Sequence, residues 1–298
     1  MLHRNTSDLT GVRFSSSFTG REFYMSAHTV KGLTVLPGTA YLEMARAAVE
    51  ISGGALLGDD RSGICLRDVV WASPAGLKDG QLHIELFPEN GHEISYEIYT
   101  RGGKDGAETV VHCQGSASAL TTAESAFRDL AALRSQYTLN NFSGARWYAA
   151  FEENGFIFRP EHQWIEEIFV GEGRVLAKLS PPASIRDKSS GLLLHPGLTD
   201  SALQASIALK LTGGHVSKEL FQPVAPLSLQ ELEIAGGAAE AASAGPVWVL
   251  VHYSETAGPS GKLDLEFCSR QGNVFARMKG LATRAPVSAH RELAFQLL

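Results

Sequence analysis

The sequence predicts an α+β fold built as a duplicated unit, in which an antiparallel sheet wraps around one long apolar helix. Three observations predict it. Two segments rich in small apolar residues both open on Pro-Gly, at Pro37-Gly38 and Pro196-Gly197, an offset of 196 − 37 = 159 in a chain of 298 residues. Each is followed by three runs with a period of two, the pattern of strands with one wet face. A comparable strand lies between helix and meander in both copies, at 64–71 and 227–234. A fixed period near half the chain marks a repeat.

In chain order, Thr29, Val30, Thr34 and Val35 make the stretch before the first helix extended and β-branched. The first helix spans 37–49, with a proline suited to its first turn and Gly53-Gly54 as the expected stop. Strands follow at 64–71, 81–88, 92–100 and 109–119, with 89–91 as a hairpin turn. Residues 121–144 are polar, hold a short helical patch and read as a connector. The second helix spans 196–209 and ends before Gly213-Gly214. Strands at 227–234, 247–253, 262–268 and 273–283 complete the second copy, with 270–272 as a turn. Residues 235–245 (AGGAAEAASAG) read as a small-residue loop. The expected division is an N-terminal half at 1–120, a connector at 121–145 and a C-terminal half at 146–298.

Composition removes several function classes. Lys and Arg number 26 against 32 Asp and Glu, a net charge of −6 with no basic run, which argues against nucleic acid and membrane surfaces as partners. Hydrophobic residues at 44% and charged residues at 19% exclude a disordered chain. Cys65, Cys113 and Cys268 form no CxxC pair, so free thiols in a reducing compartment are expected rather than a disulfide framework or a zinc ribbon. The N-terminus lacks the apolar region of a signal peptide, and no stretch approaches the ~18 apolar residues of a membrane span. The expectation is a cytoplasmic chain. GxGxxG, P-loop, HExxH and GxSxG motifs are all absent.

Two residues carry the most suggestive chemistry. His28 lies just before the first helix, whose N-terminal amides, opened by Gly38, suit a carbonyl oxygen gaining negative charge. A histidine beside an apolar helix is also commonly structural, and spacing alone leaves both readings open. Asp200 sits in the first turn of the second helix, with Gln204 one turn later on the same face. It reads either as the helix cap, for which Thr199 is the competing residue, or as a carboxyl in an apolar pocket. Burial raises a carboxyl pKa and the helix dipole lowers it; where burial wins, Asp200 is a general acid. A histidine base with a carboxylic acid is the equipment for taking a proton from one carbon and helping a hydroxyl leave the next. His83-Ile84-Glu85 and His92-Glu93 read as solvated strand faces, and residues 159–163 as a mixed-charge turn.

The spaced sets His28xxxGly32xxxxPro37 and His195-Pro196xxxAsp200xxxGln204 resemble the two signature motifs of polyketide synthase dehydratase domains, which have a double hotdog fold. Asn5-Thr6-Ser7-Asp8-Leu9, Arg13-Phe14-Ser15-Ser16, Phe18-Thr19-Gly20 and Val35-Leu36-Pro37-Gly38 are similar to such domains from trans-acyltransferase assembly lines. The resemblance implies loss of water from a β-hydroxyacyl thioester tethered to an acyl carrier protein. His28 would take the α-proton, Asp200 would protonate the departing β-hydroxyl, Gln204 would orient the acid and the Gly38 amide would bind the thioester carbonyl. Gly32, Pro37, His195 and Pro196 complete the motifs in supporting roles. No metal or other cofactor is implied, because the phosphopantetheine arm arrives with the carrier protein. The implied partners are that carrier, other synthase domains and a second copy of the chain as a homodimer.

Departures from the family pattern bear on substrate scope. Ala27 stands where the family commonly has Asp, and Phe158-Arg159-Pro160-Glu161-His162-Gln163 where it has Tyr-Gly-Pro-x-Phe-Gln. By resemblance Tyr41, Phe158, Arg159, Pro160 and Gln163 line the substrate tunnel. Two alternatives share the motifs: a dehydratase that also closes a pyran or furan ring by oxa-Michael addition or shifts the enoyl double bond, and a catalytically silent docking domain. Related isomerising domains often carry Asn at the acid position, so Asp200 favours dehydration. The abrupt start, without neighbouring catalytic modules, reads as a piece of a megasynthase.

Overall fold

A computed structural model of the chain describes all residues except 27–28, 31–32, 58–62, 77–79, 90–91, 103–107, 121–125, 155, 184–191, 212–220, 222–223, 244, 256–260 and 285–298. The first part of the chain forms β1 (Arg4–Asn5), β2 (Val12–Ser16), α1 (Phe23–Ser26), β3 (Thr29–Val30), β4 (Leu33–Thr34) and α2 (Gly38–Leu57). It continues through β5 (Gly63–Trp71), β6 (Leu82–Pro88), β7 (Glu93–Gly102) and β8 (Glu108–Ala119). Then come α3 (Leu130–Gln136), β9 (Asn140–Ser143), α4 (Gly144–Glu153), β10 (Ile165–Gly171) and β11 (Arg174–Leu179). The chain closes with α5 (Pro196–Ser206), β12 (Ala225–Ala235), α6 (Ala238–Ser243), β13 (Val247–Tyr253), β14 (Leu263–Cys268) and β15 (Val274–Arg284).

Among the described residues thirteen strands join in one sheet, in the order β1-β2-β6-β7-β8-β5-β12-β15-β14-β13-β11-β10-β9. Outward from the central pair the two sides follow the same scheme. From β5 come the third, second and first strands of one meander, and from β12 the third, second and first strands of the other. The central pair itself is antiparallel, with Leu66 opposite Leu232 and Ile64 opposite Ile234. The α+β expectation and the repeat therefore appear as one continuous antiparallel sheet. The alternation along Leu263–Cys268 places Leu263, Leu265 and Phe267 inside.

The sheet packs on α2 and α5. Ala40, Tyr41, Leu42, Met44, Ala45, Ala48 and Val49 of α2 are all buried, as are Leu198, Ala202, Leu203 and Ala205 of α5. Burying each large apolar side chain contributes roughly 1.5–3 kcal/mol. Helix α2 runs on through the expected stop at Gly53-Gly54 to Leu57: a helical glycine costs about 1 kcal/mol, which weakens a helix without ending it.

Other elements differ from the sequence expectation. The extended stretch before α2 folds back as the β3–β4 hairpin, with Thr29 opposite Thr34. Residues 235–245 contain α6 rather than only loop, in keeping with the high helix propensity of alanine. The polar connector carries the expected short helix, α3, capped by Asp129, but also β9, which extends the sheet edge beside β10. Helix α4 and the β10–β11 hairpin have no counterpart among the sequence expectations. His83 and Glu85 are partly covered rather than simply solvated: His83 stacks on Tyr99 and meets Ser15 Oγ at 2.8 Å, while Glu85 accepts the Tyr99 hydroxyl at 2.7 Å. Among the described residues no helix is long and apolar enough to cross a membrane.

Candidate active site

The two Pro-Gly segments meet. The Thr39 hydroxyl near the start of α2 donates to the Pro196 carbonyl at the start of α5, at 3.4 Å. Gly38 opens α2, and its carbonyl accepts the Trp71 indole N–H at 2.7 Å. A Cβ at Gly38 would lie 2.7 Å from Pro226 Cγ, so the approach of β12 requires glycine there. Pro37 is buried at the entry to the helix. Two positive helix ends thus face one region, an arrangement that favours developing negative charge.

Asp200 is not the cap of α5, and neither is Thr199. The cap is His195, whose Nδ1 accepts the Gly197 N–H at 3.0 Å. That bond places the proton of the neutral ring on Nε2. Burial, and secondarily the neighbouring His162, push the His195 pKa down to about 3. Its ring packs on Trp164 at a centroid distance of 4.6 Å. A Cβ at Gly197 would come within 2.3 Å of Trp164 Nε1, so only glycine lets the indole lie under the helix start.

Released from capping, the Asp200 carboxyl meets two buried side chains. Gln204 Nε2 donates to Asp200 Oδ2 at 2.8 Å, and His162 Nδ1 lies 3.5 Å from the same oxygen. The Gln204 amide is oriented in turn by Tyr148, whose hydroxyl donates to Oε1 at 3.0 Å and accepts the Ile165 N–H at 3.2 Å. Burial raises the Tyr148 pKa, which keeps the phenol a donor. The Ser201 hydroxyl donates to the His162 carbonyl at 3.2 Å, binding the turn to α5. The Asp200 side chain is 16% exposed and that of His162 only 1%, so Asp200 is the member of this cluster that reaches outward.

The other expected site residues are distributed as follows. His28 and Gly32, with Ala27, lie outside the described residues. Tyr41 is buried in the core, and its hydroxyl accepts the Ala75 N–H at 3.0 Å. Phe158 is half-buried against Phe151 and Tyr148, at ring distances of 4.9 and 6.1 Å. Arg159, Pro160 and Gln163 are exposed, and Gln163 Nε2 donates to the Phe158 carbonyl at 2.7 Å. Pro196 is buried under the first turn of α5. Sequence reasoning did not single out His162 or Tyr148. The local signals for His162 are its place in a proline-containing turn and its departure from the Phe of the family pattern, and nothing in its spacing points to α5. Among the described residues no group of three or more His, Cys, Asp or Glu side chains is placed to hold a metal ion.

Comparisons with known proteins agree on one relationship. Residues 1–101 match a family model described as polyketide synthase dehydratase domain, and residues 126–292 one described as polyketide synthase dehydratase N-terminal domain. The chain is 36% identical over 290 residues to polyketide synthase PksM of Bacillus subtilis, covering 96% of this chain and 7% of that protein. It is 39% identical over 290 residues to PksN of the same organism, covering 96% and 5%. The chain therefore spans only a small part of the curated relatives it matches. Among solved structures, a trans-AT PKS dehydratase domain from Brevibacillus brevis is 39% identical with a TM-score of 0.83, covering 96% of this chain and 98% of that one. The dehydratase domain of RzxB from Pseudomonas fluorescens is 26% identical with a TM-score of 0.76, covering 95% and 98%.

Proposed function

Because the chain belongs to the polyketide synthase dehydratase family, whose members are double-hotdog hydro-lyases, we propose that it removes water from a β-hydroxyacyl thioester carried on the phosphopantetheine arm of an acyl carrier protein. The observation that carries the reading is the Asp200–Gln204 pair, held at the start of α5 beside the start of α2. Asp200 gives its proton to the β-hydroxyl as the C–O bond breaks, and water leaves. His28, assigned from its motif, takes the α-proton, and the electrons of that C–H bond form the new double bond. The N-terminus of α2 at Gly38 receives the thioester carbonyl, where negative charge grows. Carbonyl polarisation and the proton balance between one base and one acid need no further group on the protein.

On this reading the half at 1–120 supplies His28 and the half at 146–298 supplies Asp200, so neither acts alone. The partners are the acyl carrier protein, neighbouring synthase domains and a second copy of the chain. On this reading the exposed Arg159-Pro160 segment and the half-buried Phe158 beside it are assigned to the substrate tunnel from their motif.

The test is to incubate the purified chain with β-hydroxyacyl thioesters on a carrier protein or a pantetheine mimic and to follow products by mass spectrometry. Loss of water that disappears in His28→Ala and in Asp200→Asn is the expected result. Absence of an enoyl product across chain lengths would overturn the reading, and an isobaric cyclic or double-bond-shifted product would redirect it to a cyclase or an isomerase.

A further inference from the structure

His162 has no part in the reaction described so far. It ends the short 3-10 turn Pro160–His162 and is buried between α1 and α5. Its Nε2 lies 3.2 Å from the Tyr24 carbonyl oxygen. A carbonyl only accepts, so Nε2 carries a hydrogen, and a neutral ring then presents a lone pair at Nδ1. That lone pair would face Asp200 Oδ2 at 3.5 Å. Lone pair against carboxylate is repulsive, and a hydrogen on Asp200 Oδ2 directed at the Nδ1 lone pair removes the conflict. Gln204 does not compete for this hydrogen, because it donates to Oδ2 while its own oxygen is held by Tyr148.

We propose that His162 is a positioning residue for the acid: Asp200 and His162 hold one proton between them, and the pair keeps it to a higher pH than a lone carboxyl would. The catalytic consequence rests on the dehydratase reading, whereas the shared proton does not. Two groups that share a proton titrate as a unit. Asp200 alone of the two reaches outward, so the proton leaves through the carboxyl. Its bond to the pair breaks, an O–H bond to the departing oxygen forms, and the C–O bond breaks to release water. Asp200 is left as a carboxylate beside a neutral imidazole. The base then sheds the α-proton to solvent while the pair takes one up, which restores the starting proton count.

Among the described residues, the ionisable groups near His162 include Asp200 and His195 from α5, Tyr148 from α4 and Tyr24 from α1, whose neighbour in charge is Glu22, besides Glu161 and Arg159 of its own turn. Near neutral pH burial keeps His195 and Tyr148 uncharged. Among the described residues, Asp200 is a partner able to exchange a proton with His162 across a short contact.

Two measurements on the whole chain test the proposal. The first follows the Asp200 carboxyl by carbon-13 NMR against pH without substrate, assigned by its loss in Asp200→Asn. The second is the pH profile of kcat for dehydration. His162→Phe keeps the ring volume and removes both nitrogens; His162→Gln keeps an N–H for the Tyr24 carbonyl but cannot titrate. Both variants should lower the carboxyl titration by one pH unit or more. They should also move the alkaline limb of kcat down equally, about a tenfold extra loss above both midpoints, and leave the acid limb set by the base in place. Should His162→Phe fail to fold, His162→Gln carries the test. An unmoved carboxyl titration, or a loss of rate uniform across pH, would overturn the proposal. If the parent yields no enoyl product, the dehydratase reading fails, and the carboxyl titration still decides the shared proton.

Discussion

The Glu43 carboxylate accepts the backbone N–H of Leu194 at 2.9 Å, joining the middle of α2 to the lead-in of α5. The same carboxylate forms a two-pronged pair with Arg46 at 2.9 and 2.8 Å, and Arg46 also binds Glu50. With side chains only 1% and 7% exposed, Glu43 and Arg46 make a buried charged peg between α2 and the lead-in of α5. The peg lies one residue from the His195 cap, so it helps set where Asp200 starts.

Removing one partner of a buried ion pair strands the other, at a cost of about 3–5 kcal/mol. Glu43→Ala should lose about 3 kcal/mol in urea unfolding, the low end because Glu50 still serves Arg46, and turnover should fall with it. Adding Arg46→Met should recover part of the stability. A loss below about 1 kcal/mol in the single variant would contradict this role for the peg.

Gly197→Ala drives a Cβ into the Trp164 indole. Overpacking of this kind costs about 1–3 kcal/mol. Thermal unfolding should show that loss, with kcat reduced more than KM because the first turn of α5 carries Asp200. An unchanged Tm would mean that the indole can move aside.

Tyr148→Phe deletes the hydroxyl that orients the Gln204 amide and leaves a buried acceptor without its donor, a change of about 1–3 kcal/mol. Turnover should drop roughly fivefold or more, in line with about 1 kcal/mol at the barrier. Gln204→Leu should cost more, since it removes the direct contact with Asp200. Equal rates in parent and Tyr148→Phe would sever Tyr148 from the acid.

The folded-state pKa of His195 lies near 3, against a usual 6.5. Above pH 6.5 the ring is neutral both folded and unfolded and contributes no pH dependence. As pH falls below 6.5 the unfolded chain takes up the proton first, so stability declines until the folded value is reached. His195→Asn keeps an acceptor for the Gly197 N–H without a titrating ring. Its stability should fall less steeply between pH 6 and pH 4, as read by urea midpoints; parallel curves for parent and variant would refute the assignment.

Burial pushes the thiols of Cys65 and Cys268 up to about 12 and that of Cys113 higher still. Thiolates are the reactive form. The native chain should therefore resist a disulfide-exchange reagent at pH 8, with all three thiols reacting only on unfolding. Fast labelling of any one in the native state would show local opening of its strand.

The α+β class, the two Pro-Gly helices, the two meanders and the Asp200–Gln204 pair were legible in the chain because each is a short-range pattern. Alternation of period two exposes a half-buried strand, and residues four apart on a helix share a face. The end of α2 lies beyond Gly53-Gly54 because glycine's helix penalty, about 1 kcal/mol per residue, weakens a helix without ending it. The cap was open between Asp200 and Thr199 because His195, at the boundary itself, takes that role only where Trp164 and Gly197 enclose its ring. His162 and Tyr148 are brought to the acid by turns and by α4, at separations across which no periodicity runs. Local chemistry thus determined which segments would become helix and strand and which carboxyl would stand at a helix start. Only the closing of β5 on β12 and the docking of α2 against α5 decided what surrounds that carboxyl, because desolvation and hydrogen-bond partners are properties of packed neighbours and not of sequence spacing.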